Sequence, residues 1–154
     1  MVRFAKQEDL ERVNELRKMV NDLHVGGKPE VFKPGFNEEL KNYIYEIRED
    51  PNKDIVVAEL DGVVCGYAVV AYISRPENPF MNERRFVDID EFGVDAAFRR
   101  RGVATEMVEF VKKLTKEKGY DRLELNMWEF NRDALAFYEE VGFETYRRYM
   151  EIKL

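Results

Sequence analysis

The chain has 154 residues, of which 45% are hydrophobic and 36% are charged. This length and composition are typical of one folded domain and argue against an intrinsically disordered chain. The net charge of −6 argues against a general surface for binding nucleic acid, so any anion-binding site must be local.

The first third of the chain predicts a strand and two helices. Residues 2–5 favour a short strand, and apolar residues then recur at helical spacing from Leu10 to Leu23. The segment 24–36 is rich in Gly and Pro and is expected to be a loop. A second amphipathic helix is predicted over 36–47, and Pro51 stops it.

The middle of the chain predicts antiparallel strands. Two β-rich runs, 54–60 and 63–73, are joined by Asp61-Gly62, a strong hairpin signal. After a turn, residues 86–94 alternate apolar and acidic side chains, which indicates a further strand.

The last third predicts two more helices and two more strands. A helix is expected over 103–114, with Gly119 as its stop, and is followed by a strand over 122–128. A short helix over 134–141 and a closing strand over 146–154 complete the chain.

This order of elements predicts a single α/β domain over residues 1–154. Its central sheet should be mixed and mostly antiparallel, and the strand–helix–strand unit 86–128 should supply the one parallel pair. Cys65 is the only cysteine, so no internal disulfide is expected. The N-terminus lacks the apolar core of a signal peptide and no apolar run is long enough for a bilayer, so a cytoplasmic location is expected.

The loop before the third predicted helix suits an anion. Arg99, Arg100 and Arg101 precede Gly102 and Ala104 at the point where that helix starts. A helix start exposes unpaired N–H groups and a positive dipole end, and small residues let a ligand approach the backbone closely. The arginines add charge, so the loop fits a pyrophosphate. The alternative is a solvated turn in which Gly102 serves only the bend.

Two motifs resemble those of a known family. The pattern Arg99-x-x-Gly102-x-Ala104, after a strand and before a helix, resembles the acetyl-CoA loop of the GNAT N-acetyltransferase superfamily. The segment NMWEFNRDALAFYEEVGF, 126–143, resembles that family's second signature of an asparagine, an alanine, a tyrosine and a Gly-Phe. The resemblance spans essentially the whole chain. It implies the GNAT fold, with helices on both faces of the sheet, and an acetyl-CoA-dependent N-acyltransferase.

The resemblance also implies which residues hold the donor. Loop N–H groups would hold the pyrophosphate, the end of the fourth strand would pair with the pantetheine arm, and the Val94 N–H would face the oxyanion. The implied cofactor-binding residues are Phe92, Gly93, Val94, Arg99, Arg100, Arg101, Gly102, Val103, Ala104, Thr105 and Asn131.

Acetyl transfer to an amine requires a proton acceptor for the ammonium and a donor for the departing thiolate. The resemblance places Tyr138 beside the thioester sulfur as the donor, and a core aromatic is the alternative. By alternation Glu91 falls on the strand face of Val87 and Ile89, where burial would make it a base; an exposed or ion-paired carboxylate is the alternative. Asp90 lies on the opposite face and is the substitute base, because a bulge near Gly93 would shift the register.

The acceptor is expected to be a primary amine. Acidic groups near the site favour a small cationic amine, with Asp90, His24 and Phe32 as acceptor-binding residues; a protein N-terminus or lysine is the runner-up. A non-catalytic acyl-CoA-binding sensor would keep the same pocket. His24 is the only histidine, so no metal site is expected. The expected partners are acetyl-CoA and the amine, without nucleic acid or membrane, and a homodimer stays open.

Overall fold

A computed structural model describes all 154 residues. None of its helices is long and apolar enough to cross a membrane. Its elements in chain order are β1 (Val2–Phe4), α1 (Leu10–Gly27), α2 (Glu38–Glu49), β2 (Lys53–Leu60), β3 (Val63–Arg75), β4 (Arg84–Val94), α3 (Val103–Glu117), β5 (Leu123–Leu125) and α4 (Arg132–Glu140).

The five strands form one sheet in the order β1-β2-β3-β4-β5. The pairs from β1 to β4 are antiparallel, and β4 with β5 is the one parallel pair. The hairpin between β2 and β3 turns at Asp61 and Gly62, both of which have positive φ. The predicted mixed sheet is therefore confirmed.

Helices cover both faces of the sheet. On one face α1 and α2 pack on alternate residues of β2 and β3, because a strand sends successive side chains to opposite faces. The core on this face consists of Leu10, Val13, Leu16, Ile44, Ile47, Ile55, Val57, Tyr67 and Val69. On the other face α3 packs on two adjoining clusters, built from Val56, Ala58, Cys65, Ala68, Val103 and Met107, and from Val70, Val87, Ile89, Val111 and Leu114.

A β-bulge interrupts β4 at Asp90. Val69 of β3 lies opposite Glu91, and the next residue, Val70, lies opposite Ile89. Asp90 is therefore the extra residue of the strand and has no partner in β3. A bulge of this kind reverses the alternation of every side chain that follows it.

The bulge makes one expectation from the sequence wrong. Val87 and Ile89 pack in the α3-side core, as strict alternation requires. Glu91, however, lies on the opposite face, where it contacts Arg17 of α1. The sequence pattern placed Glu91 beside Val87 and Ile89 because it contains no signal for an inserted residue at Asp90.

The two C-terminal strands differ from their predictions. The strand expected over 122–128 is only the three residues of β5. The strand expected over 146–154 does not form, and every residue from Glu144 to Leu154 is exposed. No neighbouring strand of the same chain pairs with this segment, so its apolar alternation alone does not produce a strand.

Candidate functional site

Strands β4 and β5 part just before the bulge. Their parallel pairing ends at Ile89 opposite Leu125, whereas β4 continues to Val94. The Asp95 N–H donates to Cys65 of β3 at 2.8 Å. Because successive backbone groups of a strand point to opposite sides, the N–H groups of Phe92 and Val94 point away from β3. They face a gap in which an extended ligand could accept hydrogen bonds from these backbone groups.

The loop that the sequence predicts to bind an anion follows the same strand. Arg100 and Gly102 both have left-handed backbone conformations, with φ of 60° and 78°. Gly102 precedes the first turn of α3, whose first backbone bond is from the Glu106 N–H to the Gly102 carbonyl at 3.0 Å. The N–H groups between them are therefore free for an anion at the positive end of the helix dipole.

The three arginines of this loop have different environments. Arg101 already has an ion-pair partner, since its guanidinium donates to Asp61 at 3.0 Å on the exposed surface. Arg99 and Arg100 have no ion-pair partner, so both are available to a bound phosphate.

Tyr138 lies on α4 beside the gap. Its ring is 6.1 Å from that of Phe92 and 5.7 Å from that of Phe143. Burial among these aromatic rings raises the pKa of Tyr138 to about 12. The hydroxyl has no hydrogen-bond partner within the protein, so it is free to donate to a ligand. Asn131 caps α4 by accepting from the Ala134 N–H at 3.3 Å, which leaves its amide N–H groups free.

Glu91 is bound by a buried arginine on the α1 face. Arg17 donates to both carboxylate oxygens of Glu91, at 2.8 and 3.1 Å. The same guanidinium donates to Asn14 and to the backbone carbonyl of Leu40, at 2.9 and 2.6 Å. Only 5% of the Arg17 side chain is exposed, compared with 23% for Glu91. Arg17 thus joins α1, the first turn of α2 and the strand that follows the bulge.

The other acidic side chains of β4 differ in their partners. Asp90 is exposed and pairs with Lys53 at 3.4 Å. Asp88 has no cation partner, and burial, reinforced by the nearby charges of Asp90 and Glu124, raises its pKa to about 6. No group of three or more His, Cys, Asp or Glu side chains is arranged to hold a metal ion.

An aromatic cluster adjoins the C-terminus of α1. Helix α1 extends through His24, whose ring stacks on Phe32 at 4.9 Å and meets Phe130 edge-on at 6.1 Å. Phe32 in turn contacts Trp128 at 5.1 Å. Burial lowers the pKa of His24, which favours the neutral imidazole. These rings form an apolar wall between the loop after α1 and the segment after β5.

The structure groups the predicted site residues in three places. The predicted donor residues lie along the gap and loop, Glu91 and Asp90 lie on the α1 side of β4, and His24 and Phe32 lie in the aromatic cluster. Arg17 was not predicted as a site residue. Arg17 had a signal in the sequence, because it lies four residues after Val13 on the apolar stripe of α1, where an arginine requires a buried partner.

Sequence comparisons identify related proteins. A family model described as the acetyltransferase (GNAT) family matches residues 3–143. The chain is 25% identical over 101 residues to an uncharacterized N-acetyltransferase, YjgM, of Escherichia coli, and 31% identical over 90 residues to one of Methanocaldococcus jannaschii. These matches cover 66% and 57% of this chain but only 57% and 38% of the two relatives' own lengths.

Solved structures share the fold at lower identity. A mutant form of a Bacillus halodurans protein superposes with a TM-score of 0.95 at 24% identity, over 100% of this chain and 99% of that chain. The aminoglycoside N-acetyltransferase AAC(6')-Iy, in complex with a bisubstrate analogue, gives 0.78 at 21% identity, over 100% and 97% of the two chains.

The raised pKa of Asp88 predicts a pH-dependent effect of Asp88→Asn on stability. Because the folded-state pKa of about 6 exceeds the ordinary value of 3.8, ionisation of Asp88 costs stability as the pH rises through this range. Asn cannot ionise, so the variant should unfold at a higher temperature than the parent at pH 8 but not at pH 4. With allowance for solvent screening, we expect a gain of about 1 kcal/mol, or about 2–4 °C.

The control for this measurement is Asp22→Asn, which removes only an exposed ion pair with Lys18 and should change the melting temperature little at either pH. An equal gain for Asp88→Asn at pH 4 and pH 8 would contradict the assignment of the effect to ionisation.

Proposed function

Since this chain belongs to the GNAT acetyltransferase family, we propose that it transfers the acetyl group of acetyl-CoA to a primary amine by direct attack. The observation that carries the proposal is the gap between β4 and β5, which runs from the free edge at Phe92 and Val94 to the left-handed loop at Gly102. An extended arm with a pyrophosphate fits these two groups of donors. A sheet without a ligand has no need for both a free strand edge and a left-handed loop at a helix start.

The donor would be held mainly by the backbone. Free N–H groups at the start of α3 suit the pyrophosphate, and Arg99 and Arg100 supply further donors. The N–H and C=O groups of Phe92 and Val94 suit the amides of the pantetheine arm, as an added strand would. The solved AAC(6')-Iy complexes, one with CoA and one with a CoA-containing bisubstrate analogue, support this choice of donor.

Two groups of the chain would stabilise charge in the transition state. The Val94 N–H is directed into the gap and suits the developing oxyanion of the thioester carbonyl. The Tyr138 hydroxyl suits the departing thiolate. A phenol with a pKa of about 12 is a weaker acid than a thiol of ordinary pKa about 8.5, so a hydrogen bond to the thiolate is favoured over complete proton transfer.

Glu91 is proposed to receive the amine proton through a water molecule. Among the acidic residues of β4 it lies nearest in sequence to the free edge at Phe92. A carboxylate has about four acceptor positions, and Arg17 occupies two of those on Glu91, so its exposed part can still accept from water. Asp88 is the rival, because its pKa of about 6 suits proton exchange near neutral pH.

A small cationic amine is the proposed acceptor. Asp88, Asp90 and Glu91 lie on one side of β4, and the wall of His24 and Phe32 would cover an apolar part of the acceptor. The aminoglycoside acetylated by AAC(6')-Iy is an amine of this class. A protein N-terminus or lysine is the second candidate, and a non-catalytic acyl-CoA sensor is the third. A panel of amines assayed for release of free thiol from acetyl-CoA separates them, because a sensor releases none.

Gly102→Asp should abolish acetyl-CoA binding while the fold persists. The carboxylate would face the pyrophosphate, and a like charge there costs several kcal/mol, so we expect an affinity loss of about 100-fold or more by calorimetry. The matched control is Gly119→Asp at the other end of α3. Both glycines have nearly the same positive φ, 78° and 80°, and open space around an added Cβ. Similar binding by the two variants would place the phosphate elsewhere.

Tyr138→Phe should lower kcat by about 10² or more with little change in acetyl-CoA affinity, because only the hydroxyl that meets the thiolate is removed. Tyr120→Phe is the control, since Tyr120 is half-buried beside Tyr72, away from the gap. A loss of acetyl-CoA affinity that matches the loss of kcat would show instead that Tyr138 is structural.

Glu91→Gln should depress kcat most near neutral pH and recover at high pH, where the amine loses its proton without assistance. The pH–rate profile is compared with that of Asp88→Asn, and Asp22→Asn, at an exposed carboxylate paired with Lys18, is the control. If the Glu91→Gln profile parallels the parent at every pH and the Asp88→Asn profile shows the recovery, Asp88 is the base and Glu91 only anchors Arg17.

A further inference from the structure

Asp95 places a negative charge at the entrance of the loop that is proposed to bind phosphate. It follows the last residue of β4 directly and precedes Arg99 in the chain. One of its carboxylate oxygens accepts from the Ala97 N–H at 2.9 Å, and this bond caps the short 3-10 turn, Ala96–Phe98, that leads into the loop. A carboxylate in this position opposes an anionic ligand, because like charges at short range in a partly buried site repel each other.

Arg12 of α1 binds the other carboxylate oxygen of Asp95. Its Nη2 donates to Asp95 at 2.6 Å, while its Nη1 donates to Glu15 at 2.5 Å and its Nε donates to the Val64 carbonyl at 3.0 Å. All three guanidinium nitrogens therefore have partners, which fixes the cation against the carboxylate. The side chains of Arg12 and Asp95 are only 29% and 16% exposed, so water and salt screen this pair less than a surface pair.

Arg99 is a second cation within reach of the same carboxylate. The hydrogen bond from the Ala97 N–H, the ion pair with Arg12 and the nearby charge of Arg99 together lower the pKa of Asp95, so this carboxylate is ionised at neutral pH. Arg99 nevertheless forms no ion pair with Asp95, whose two oxygens already accept from Ala97 and Arg12. Without Arg12, Asp95 would be an uncompensated carboxylate beside an unpaired arginine.

The attachment of α1 to the sheet does not depend on this ion pair. Leu10, Val13 and Leu16 anchor the helix in the core, and each is at most 2% exposed. Burial of three large apolar side chains contributes several kcal/mol, whereas a partly exposed ion pair contributes far less. Loss of the Arg12 charge should therefore leave the fold in place and act locally, on Asp95 and the loop that follows it.

We propose that Arg12 is a positioning residue of the donor site: by holding and neutralising Asp95, it prevents this carboxylate from repelling the pyrophosphate of acetyl-CoA and from capturing Arg99. The inference rests on the proposed function, because it concerns the donor which that function requires. Arg12 acts through Asp95 and does not itself contact the donor. Two arginines of α1 thus serve the two sides of the site, since Arg17 binds Glu91 and Arg12 binds Asp95.

Charge variants of the full chain test this role through the affinity for acetyl-CoA, measured by calorimetry. Arg12→Gln removes the cation and should weaken binding about 10-fold, whereas Arg12→Lys keeps the charge and should retain most of the affinity. Adding Asp95→Asn to Arg12→Gln should restore binding, because Asn has no charge but keeps an oxygen that can accept from the Ala97 N–H. A merely structural ion pair predicts no such rescue, since the double variant also lacks the pair.

Arg3→Gln is the matched control. Arg3 also pairs with a carboxylate at 2.6 Å, that of Asp9, but it lies on β1, three strands from β4. This variant should lower the melting temperature at least as much as Arg12→Gln and leave the affinity unchanged. If Arg12→Gln binds as tightly as the parent, or if the double variant stays weak, the inference is overturned and the proposed function stands. A parent that does not bind acetyl-CoA contradicts the proposed function itself, and the inference with it.

Discussion

The extra residue in β4 sets the geometry on which the rest of the structure depends. Before Asp90 the strand pairs with both neighbours, and its apolar residues pack under α3. After Asp90 the alternation is reversed, so Phe92 and Val94 occupy the α3 side and Glu91 faces α1. The parallel partner β5 has already ended. The inserted residue therefore coincides with an open edge of β4 and with an acidic side chain, Glu91, on the face of the sheet that α1 covers.

Arg17 compensates for the charge that the bulge turns inward. A carboxylate against a helix is costly unless it is paired and hydrogen-bonded. Arg17 donates two hydrogen bonds to Glu91, and it also donates to Asn14 and to the Leu40 carbonyl. The buried guanidinium is therefore itself well paired. The same contacts attach the start of α2 to β4. The proposed acceptor side of the site is therefore held by electrostatics, whereas the proposed donor side is formed by backbone.

Two stretches of the chain leave backbone groups unpaired, namely the end of β4 and residues 144–154. At the gap, the free N–H groups of Phe92 and Val94 lie between an aromatic residue, Tyr138, and a helix start, which makes them suited to a ligand. In the C-terminal segment, the free groups lie on the surface beside an apolar row. These surroundings, rather than the unpaired backbone alone, are what suit the end of β4 to a small extended ligand.

The sequence by itself determined most of the elements and the loop before α3, because those depend on neighbours along the chain. Apolar spacing, Asp61-Gly62 and the Arg99 to Ala104 pattern are local signals, and the hairpin, the helices and the left-handed turn at Gly102 follow from them. The tertiary structure alone decided where Glu91 points and that Arg17 binds it, because the bulge is defined by pairing between two strands. It also decided that residues 146–154 form no strand within one chain. Whether an alternating segment becomes a strand depends on a partner edge, and no pattern within the segment can provide one.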